Sequence, residues 1–135
     1  MKKAILFSCI ITICFSFAAC TRYRGDVKNV EIDYGSSDKF SESEIESAVN
    51  CVLDSFKEAD GCKLLKLWYD EEKSNSQIGR YVNDGVEEAN VIIIFSDYKT
   101  DSTHITGPNQ TFNNWMSILI RNNPNDEWRI DDSGY

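Results

Sequence analysis

The chain has 135 residues, which is about the length of one domain once any targeting segment is set aside. It carries 22 acidic against 14 basic residues, a formal net charge of −8. This excess of acid argues against nucleic-acid binding, which depends on Lys and Arg neutralising phosphates. It argues equally against a polybasic patch that would hold the protein on a membrane.

Residues 1–19 have the pattern of an export signal. Lys2 and Lys3 are followed by an apolar run over 4–17 and then by two small residues. The run is shorter than the about 20 apolar residues that a spanning helix needs. We therefore exclude 1–19 from the fold. The exclusion removes two basic residues and no acid, so 12 basic and 22 acidic residues leave a net charge of −10.

The end of this segment, Phe17-Ala18-Ala19-Cys20, resembles the bacterial lipobox. The resemblance implies transfer of diacylglycerol to the Cys20 thiol and cleavage before that residue. Two or more acyl chains anchor a protein stably, since each buried methylene contributes about 0.8 kcal/mol. The expected location is the extracytoplasmic face of the cell membrane, with the N-terminal lipid as the membrane contact. A plain secretory signal with a chance cysteine is the alternative.

Residues 20–39 are polar and contain Gly25, Gly35 and two serines, which predicts a flexible tether after the lipidated cysteine. Hydrophobic residues alternate over 30–34, so a short edge strand within that stretch is also consistent with the sequence.

The cysteines do not indicate a disulfide framework. Three of the five lie at or before Cys20, which leaves Cys51 and Cys62. A helix continuing from Cys51 to Ala59 would span about 12 Å, whereas a disulfide needs Cα atoms within about 7 Å. Both cysteines are therefore predicted to be unpaired.

The first strongly predicted element is an amphipathic helix over 42–59. Ser41 and Glu44 form a capping box, and Gly61 is a helix-stop residue. Apolar residues follow at helical spacing, so one face is predicted to be buried. That stripe comprises Ile45, Ala48, Val49, Val52 and Phe56.

Shorter elements follow in chain order. A strand is predicted over 62–69, and a second capping box over 74–77 predicts a short helix that includes Ile78, Tyr81 and Val82. Strands are then predicted over 90–98, 111–121 and 127–132, the last two joined by an Asn-Pro-Asn-Asp turn. The unbroken apolar run Val91–Phe95 predicts a strand that is covered on both faces.

These elements predict an α+β fold in a single domain over 40–135. Its order is α-β-α-β-β-β, with a curved antiparallel sheet of about four strands. The two helices are expected to pack on one face of that sheet.

Several motifs together resemble those of uncharacterised lipoproteins from Gram-positive anaerobes. Their domain of unknown function is similar to the nuclear-transport-factor-2-like, or cystatin-like, fold. The motifs are Gly61-Cys62-x-Leu64, Trp68-Tyr69-Asp70-Glu71, Val91–Ser96 followed by Asp97, Asn114-Trp115, and the terminal run from Trp128 to Tyr135. The resemblance implies a sheet wrapped into a cone with a pocket. It implies no catalytic motif, and relatives often carry Trp where this chain has Ser133.

No catalytic residue, metal site or cofactor is predicted. His104 is the one histidine, and Asp101 three residues before it could make an acid–base pair. A solvated loop histidine is the competing interpretation. The acidic clusters lack the spacing of a calcium loop, and their residues read as solvated charges. If the protein is an enzyme, Asp70 or the Asp101–His104 pair would serve as its acid–base groups.

The aromatic residues are the remaining candidates. Trp68, Tyr98 and Trp115 are predicted to line a pocket on the concave face of the sheet, although ordinary core packing would also explain them. The expected function is therefore a lipid-anchored surface protein that presents a small binding domain. Its partner would be an envelope protein or a small ligand, and self-association is a further alternative.

Overall fold

The computed structural model describes residues 24–135, and the export signal, Cys20 and the start of the tether lie outside that range. No helix in this described range is both long and apolar enough to cross a bilayer. The fold is α+β. In chain order, its elements are β1 (Glu31–Asp33), α1 (Glu42–Lys57), β2 (Cys62–Trp68), α2 (Glu71–Gln77), α3 (Gly79–Asn83), a 3-10 turn (Glu88–Asn90), β3 (Val91–Thr100), β4 (Thr111–Ile120) and β5 (Arg129–Gly134).

The sheet has five strands in the order β1-β2-β3-β4-β5, and it is mixed. The expectation of about four antiparallel strands was wrong at one edge, where β1 pairs with β2 in parallel. The other three pairings are antiparallel. A parallel pairing needs a long crossover connection, and α1 supplies it between β1 and β2.

The long helix α1 forms as its sequence predicts, although it ends two residues earlier, at Lys57. The Ser41 hydroxyl accepts from the Glu44 N–H, and the Glu44 carboxylate accepts from the Ser41 N–H, so the capping box is confirmed. The predicted apolar stripe is buried against the sheet. Cys51 and Cys62 are both free, as expected.

The second helix begins earlier than the sequence pattern indicated. Asp70 is the N-cap of α2, and its side chain accepts a hydrogen bond from the Lys73 N–H at 3.0 Å. Ser74 is therefore not a cap. Its buried hydroxyl oxygen instead accepts from the Ile93 N–H at 3.1 Å, beyond the point where β2 stops pairing with β3. A tertiary hydrogen bond thus replaced the predicted local one.

Helices cover both faces of the sheet, which corrects the expectation that they share one. One face packs on α1 and includes Ile92, Ile94 and Leu119. The other packs on Ile78 and Tyr81 from the α2–α3 region. Every residue of Val91–Ser96 is buried, which confirms that this part of β3 is covered on both faces.

The described part of the predicted tether, residues 24–39, lies against the domain. β1 forms within it, at the stretch where alternation suggested an edge strand. Before β1, the Asp26 N–H donates to the Cys62 carbonyl at 2.8 Å, and the Leu64 N–H donates to the Asp26 carbonyl at 2.9 Å. The folded region therefore begins earlier than residue 40.

Three β-bulges change which side chains share a face. Two residues of β2 oppose one of β3 near Leu65, three of β4 oppose two of β3 near Asn114, and two of β5 oppose one of β4 near Asp131. Each bulge breaks the strict alternation of a strand. As a result, two residues that flank a bulge and are three positions apart both face α1.

Candidate functional site

A cavity of about 330 Å³ lies between the C-terminal half of α1 and the sheet. Its walls combine aromatic, aliphatic and small polar side chains from α1, four strands and the loop after β3. The residues are Ser55, Phe56, Ala59, Cys62, Tyr98, His104, Trp115, Ser117, Ile130 and Ser133. We call this the α1 pocket.

Small side chains leave the space that forms the α1 pocket. Ser55 in α1 and Ala59 just after the helix line one side of the pocket, and Ser117 and Ser133 line the sheet side. Ser117 lies on β4 between Trp115 and Leu119, two larger residues that join the same hydrophobic cluster. A larger side chain at any of the four small positions would therefore reduce the cavity.

The aromatic wall is built around Tyr98, which three rings surround. Tyr98 stacks on Phe112 with centroids 4.7 Å apart, and it meets the edges of Phe56 at 5.1 Å and Trp115 at 5.9 Å. Edge-to-face and offset contacts of this kind favour fixed ring positions. Burial raises the pKa of Tyr98 to about 12, so its phenol stays protonated at neutral pH.

The bulge at Asn114 completes this wall. Asn114 adopts a left-handed backbone with φ of 56°, and its N–H donates to Asp97 Oδ1 at 2.8 Å. Phe112 and Trp115 are three residues apart, a spacing that would place them on opposite faces of a regular strand. Because of the bulge both rings face α1, and their centroids lie 5.5 Å apart.

His104, one of the polar residues that line the α1 pocket, has an unsatisfied ring nitrogen. His104 Nδ1 is buried and has no hydrogen-bond partner among residues 24–135. Buried polar atoms are normally paired, since leaving one unpaired costs about 1–3 kcal/mol. The serine hydroxyls in the same walls are further donors and acceptors. The His104 nitrogen has almost no accessible surface, so it is an unpaired group of the fold rather than a contact offered to a ligand.

The pocket thiol is not activated. Burial raises the pKa of Cys62, and the negative charges of Asp101 and Asp60 raise it further. The thiolate is the reactive form of cysteine. Cys62 and His104 therefore share a pocket without the electrostatic environment that a nucleophilic cysteine requires.

The predicted aromatic site is only partly assembled. Tyr98 and Trp115 both line the α1 pocket. Trp68 does not join them, because it lies on the opposite face of the sheet, where it stacks on Phe95 at 5.8 Å. The neighbouring Leu67 faces α1 instead. In β2, Leu64 and Leu67 share a face through the bulge between them, which directs Trp68 away.

The two candidate acid–base groups are engaged elsewhere. The Asp101 carboxylate accepts from the Thr103 N–H at 2.8 Å and from the Thr103 hydroxyl at 2.6 Å. These bonds lower the pKa of Asp101, and the nearby His104 adds a smaller effect in the same direction. Asp70 caps α2. Neither carboxylate lines the α1 pocket.

His104 is the pocket residue whose position the sequence did not predict. The loop that carries it rests on Gly61, whose carbonyl accepts from the Asp101 N–H at 2.8 Å. Gly61 has φ of 72°, and a Cβ there would lie 2.7 Å from Asp101 Oδ1. Gly61 is the one relevant signal in the sequence, but as a helix stop and as part of the Gly61-Cys62-x-Leu64 motif it does not predict this loop contact.

A larger depression of about 470 Å³ lies beside α1 near Trp128. Its lining includes Glu46, Asp54 and Glu127, so it is acidic, and Trp128 is its one aromatic residue. Trp128 itself is fixed by the fold: its indole N–H donates to the Glu44 carbonyl at 3.2 Å, and the Arg121 guanidinium lies 4.1 Å above its ring. The α1 pocket is the better binding site because it combines aromatic and apolar walls with a few polar side chains.

In the described range 24–135, no group of three or more His, Cys, Asp or Glu side chains is arranged to hold a metal ion. No family model matches this sequence, and neither the curated proteins nor the solved structures compared with it include a match.

Proposed function

We propose that this chain is a lipoprotein, anchored through Cys20 at the extracytoplasmic face of the membrane, whose domain binds a small ligand in the α1 pocket. The export pattern of residues 1–19 and the lipobox supply the anchor. The observation that carries the binding function is an aromatic-walled cavity whose lining also includes His104 and several serine side chains. Sites of this composition are typical of small-molecule binding.

The chemistry of the pocket suggests the class of ligand. Tyr98 and Trp115 offer ring surfaces to a flat apolar group, and His104 with the serines offers hydrogen bonds. A volume of about 330 Å³ is at the lower end of the about 300–1,000 Å³ common for ligand pockets. We therefore propose a compact ligand with an aromatic or alicyclic body and one or two polar groups.

Binding is favoured over catalysis by the lining of the cavity. The predicted acid–base pair would need the Asp101 carboxylate in the cavity beside His104, and the lining includes no carboxylate. Its thiol has a pKa raised by burial. An envelope protein remains the other proposed type of partner, and it would contact the rim rather than the interior.

We also propose that the sheet curves around α1 as a cone, as the resemblance to nuclear-transport-factor-2-like domains implies. The three β-bulges support this curvature, since a bulge bends its strand and increases local twist. Each of the three bulges directs an additional side chain toward α1. These side chains line the concave face in which the pocket lies.

The test uses the fluorescent aromatic anion 8-anilinonaphthalene-1-sulfonate as a probe. Ser55 lines the pocket from α1, and its hydroxyl donates to the Val52 carbonyl at 2.7 Å. Ser76 in α2 makes the same type of bond, to the Lys73 carbonyl at 2.7 Å, and it lies outside the pocket. Ser55→Trp and Ser76→Trp are therefore matched substitutions.

We expect saturable probe binding by the unsubstituted protein. Ser55→Trp should weaken it about tenfold, equivalent to about 1.4 kcal/mol, because the indole fills the cavity, while Ser76→Trp should leave it unchanged. Circular dichroism establishes that both variants are folded. Equal affinities in the two folded variants, or no saturable binding by any of the proteins, would contradict the proposed site.

A further inference from the structure

The described chain begins at the C-terminal end of α1. The backbone N–H groups of Arg24 and Gly25 both donate to the Lys57 carbonyl at 3.0 Å. The Arg24 guanidinium also lies 3.6 Å from Asp60 Oδ2. Because these contacts involve the backbone of Arg24, they fix where the preceding residues must reach the domain.

Covalent geometry limits how far Cys20 can be from that end. Four residues separate Cys20 from Arg24, and an extended chain of that length spans at most about 14 Å. If Cys20 carries the lipid, Arg24 therefore lies within about 14 Å of the bilayer surface, whatever path the intervening residues take. The C-terminal end of α1 is then held near the membrane.

An exposed apolar side chain is presented at this same end. The loop 101–109 rests on Gly61, next to Asp60, and Asp101 shares a cleft with Arg24. Within the loop, the Thr100 hydroxyl donates to the Gly107 carbonyl at 2.5 Å, and the Asn109 N–H donates to the Asp101 carbonyl at 3.1 Å. This bonded loop holds Ile105 with 94% of its surface exposed.

Such exposure is unusual in this domain. Among residues 24–135, the large hydrophobic side chains that are exposed are those of Ile105 and Tyr135. A single exposed aliphatic residue needs no explanation by itself. Ile105, however, combines nearly complete exposure with a hydrogen-bonded loop and a position beside the point where the lipidated segment joins the domain.

The charge at this end also suits an anionic bilayer. Arg24, Lys63 and Lys99 line the cleft beside the loop together with Asp26 and Asp101, and Asp60, which lies 3.6 Å from Arg24, makes three negative groups against three positive. The whole mature chain has 22 acidic against 12 basic residues. The surface nearest the membrane is thus spared the strong negative charge that would repel anionic lipids.

We propose that the loop 101–109 is a membrane-contact surface, with Ile105 inserted at the boundary between headgroups and acyl chains. This inference rests on the proposed function, because acylation at Cys20 brings the loop to the bilayer. Contact through Ile105 would restrict the rotation of the domain and set one orientation of the α1 pocket relative to the membrane.

The test places a tryptophan near one or the other end of α1 in the acylated lipoprotein that begins at Cys20. Ile105→Trp reports on the proposed contact. Glu42→Trp is the control, exposed in the first turn of α1 and about 22 Å from Lys57 along the helix. Both variants are reconstituted into vesicles of phosphatidylcholine and phosphatidylglycerol, with and without bromine on the phosphatidylcholine acyl chains. The fluorescence of the three native tryptophans is subtracted using the unsubstituted protein.

We expect brominated lipid to quench the added fluorescence of Ile105→Trp and to leave that of Glu42→Trp unchanged. Flotation of the same vesicles reports on the anchor separately. If the protein floats but the two added tryptophans are quenched equally or not at all, the contact surface is wrong and the anchor stands. If the protein does not float, the anchor fails and the inference fails with it.

Discussion

The backbone N–H of Asn114 donates to Oδ1 of Asp97 at 2.8 Å, across the bulge between β3 and β4. This contact stabilises the bulge that brings Phe112 and Trp115 to the same face of the sheet. The aromatic wall of the α1 pocket thus depends on a polar residue that lies outside it.

Asp97→Ala should therefore affect both stability and binding. Loss of a hydrogen bond to a carboxylate costs about 1.5–3 kcal/mol, and an altered bulge should displace Phe112 or Trp115 and weaken probe binding. Urea unfolding and titration with 8-anilinonaphthalene-1-sulfonate measure the two effects. Asp84→Ala, at an exposed position after α3, is the control and should change stability by less than about 0.5 kcal/mol. If folded Asp97→Ala bound the probe with unchanged affinity, the binding site would not depend on this hydrogen bond across the bulge.

The two faces of the sheet should respond differently to loss of an indole. Trp115→Phe alters the wall of the α1 pocket, whereas Trp68→Phe changes the opposite face. We expect the first substitution to weaken probe binding by about 0.5–1.5 kcal/mol, the typical value of an aromatic contact. The second should have no effect on affinity. A larger effect from Trp68→Phe would mean that the probe binds on the other face.

Gly61 and Gly79 form a matched pair for testing how the loop that carries His104 is held. Gly61→Ala puts a Cβ 2.7 Å from Asp101 Oδ1 on a left-handed backbone, which should cost at least about 1–2 kcal/mol. Gly79→Ala meets no atom within 4 Å and should stabilise the protein by about 0.4–1 kcal/mol. Thermal unfolding of both variants gives the comparison. Equal shifts in Tm would show that the loop does not depend on close approach at Gly61.

Acid should weaken the fold through Glu44. Burial alone would raise the pKa of Glu44, but hydrogen bonds from the Ser41 N–H and the Arg121 guanidinium hold the pKa below its ordinary value. A carboxyl group whose pKa is lowered by folding stabilises the protein above its unfolded-state pKa of about 4.3. That contribution is lost as pH falls through the lower pKa of the folded state.

Urea unfolding between pH 7 and pH 3 measures this dependence. The unsubstituted protein should lose more stability over the acidic part of the range than Glu44→Gln does, because the amide has no charge to lose. Glu42 lies two residues earlier in the same turn and is exposed. The stability of Glu42→Gln should therefore depend on pH as that of the unsubstituted protein does. If the free energy of unfolding varied with pH in the same way for all three proteins, Glu44 would not be a source of the acid sensitivity.

Local patterns in the sequence predicted those elements whose causes are local. The capping box of Ser41 and Glu44 and the apolar stripe behind it specify α1 without reference to the sheet. The unbroken run Val91–Phe95 likewise predicted a strand covered on both faces. In each case the residues that determine the element lie within it.

Contacts between distant parts of the chain decided the rest. Ser74 matches a capping position, yet its hydroxyl oxygen accepts a hydrogen bond from the N–H of Ile93, nineteen residues away. The parallel pairing of β1 with β2 depends on the path of α1, which connects the end of β1 to the start of β2. Successive side chains of a strand alternate between the two faces of a sheet, and a bulge interrupts this alternation. Because three strand pairings contain bulges, the face on which Trp68 lies could not be assigned from its spacing in the sequence. Tyr98 and Trp115 were predicted to share a site, but His104 joined them only through the fold.

We propose that a lipid on Cys20 fastens this pocket-bearing domain outside the cell. Intact-mass and N-terminal peptide mass spectrometry of the membrane fraction tests it most directly. We predict a chain that begins at Cys20 and carries diacylglycerol on its sulfur. A chain that retains residues 1–19, or one that begins at Cys20 with an unmodified thiol, would contradict the claim.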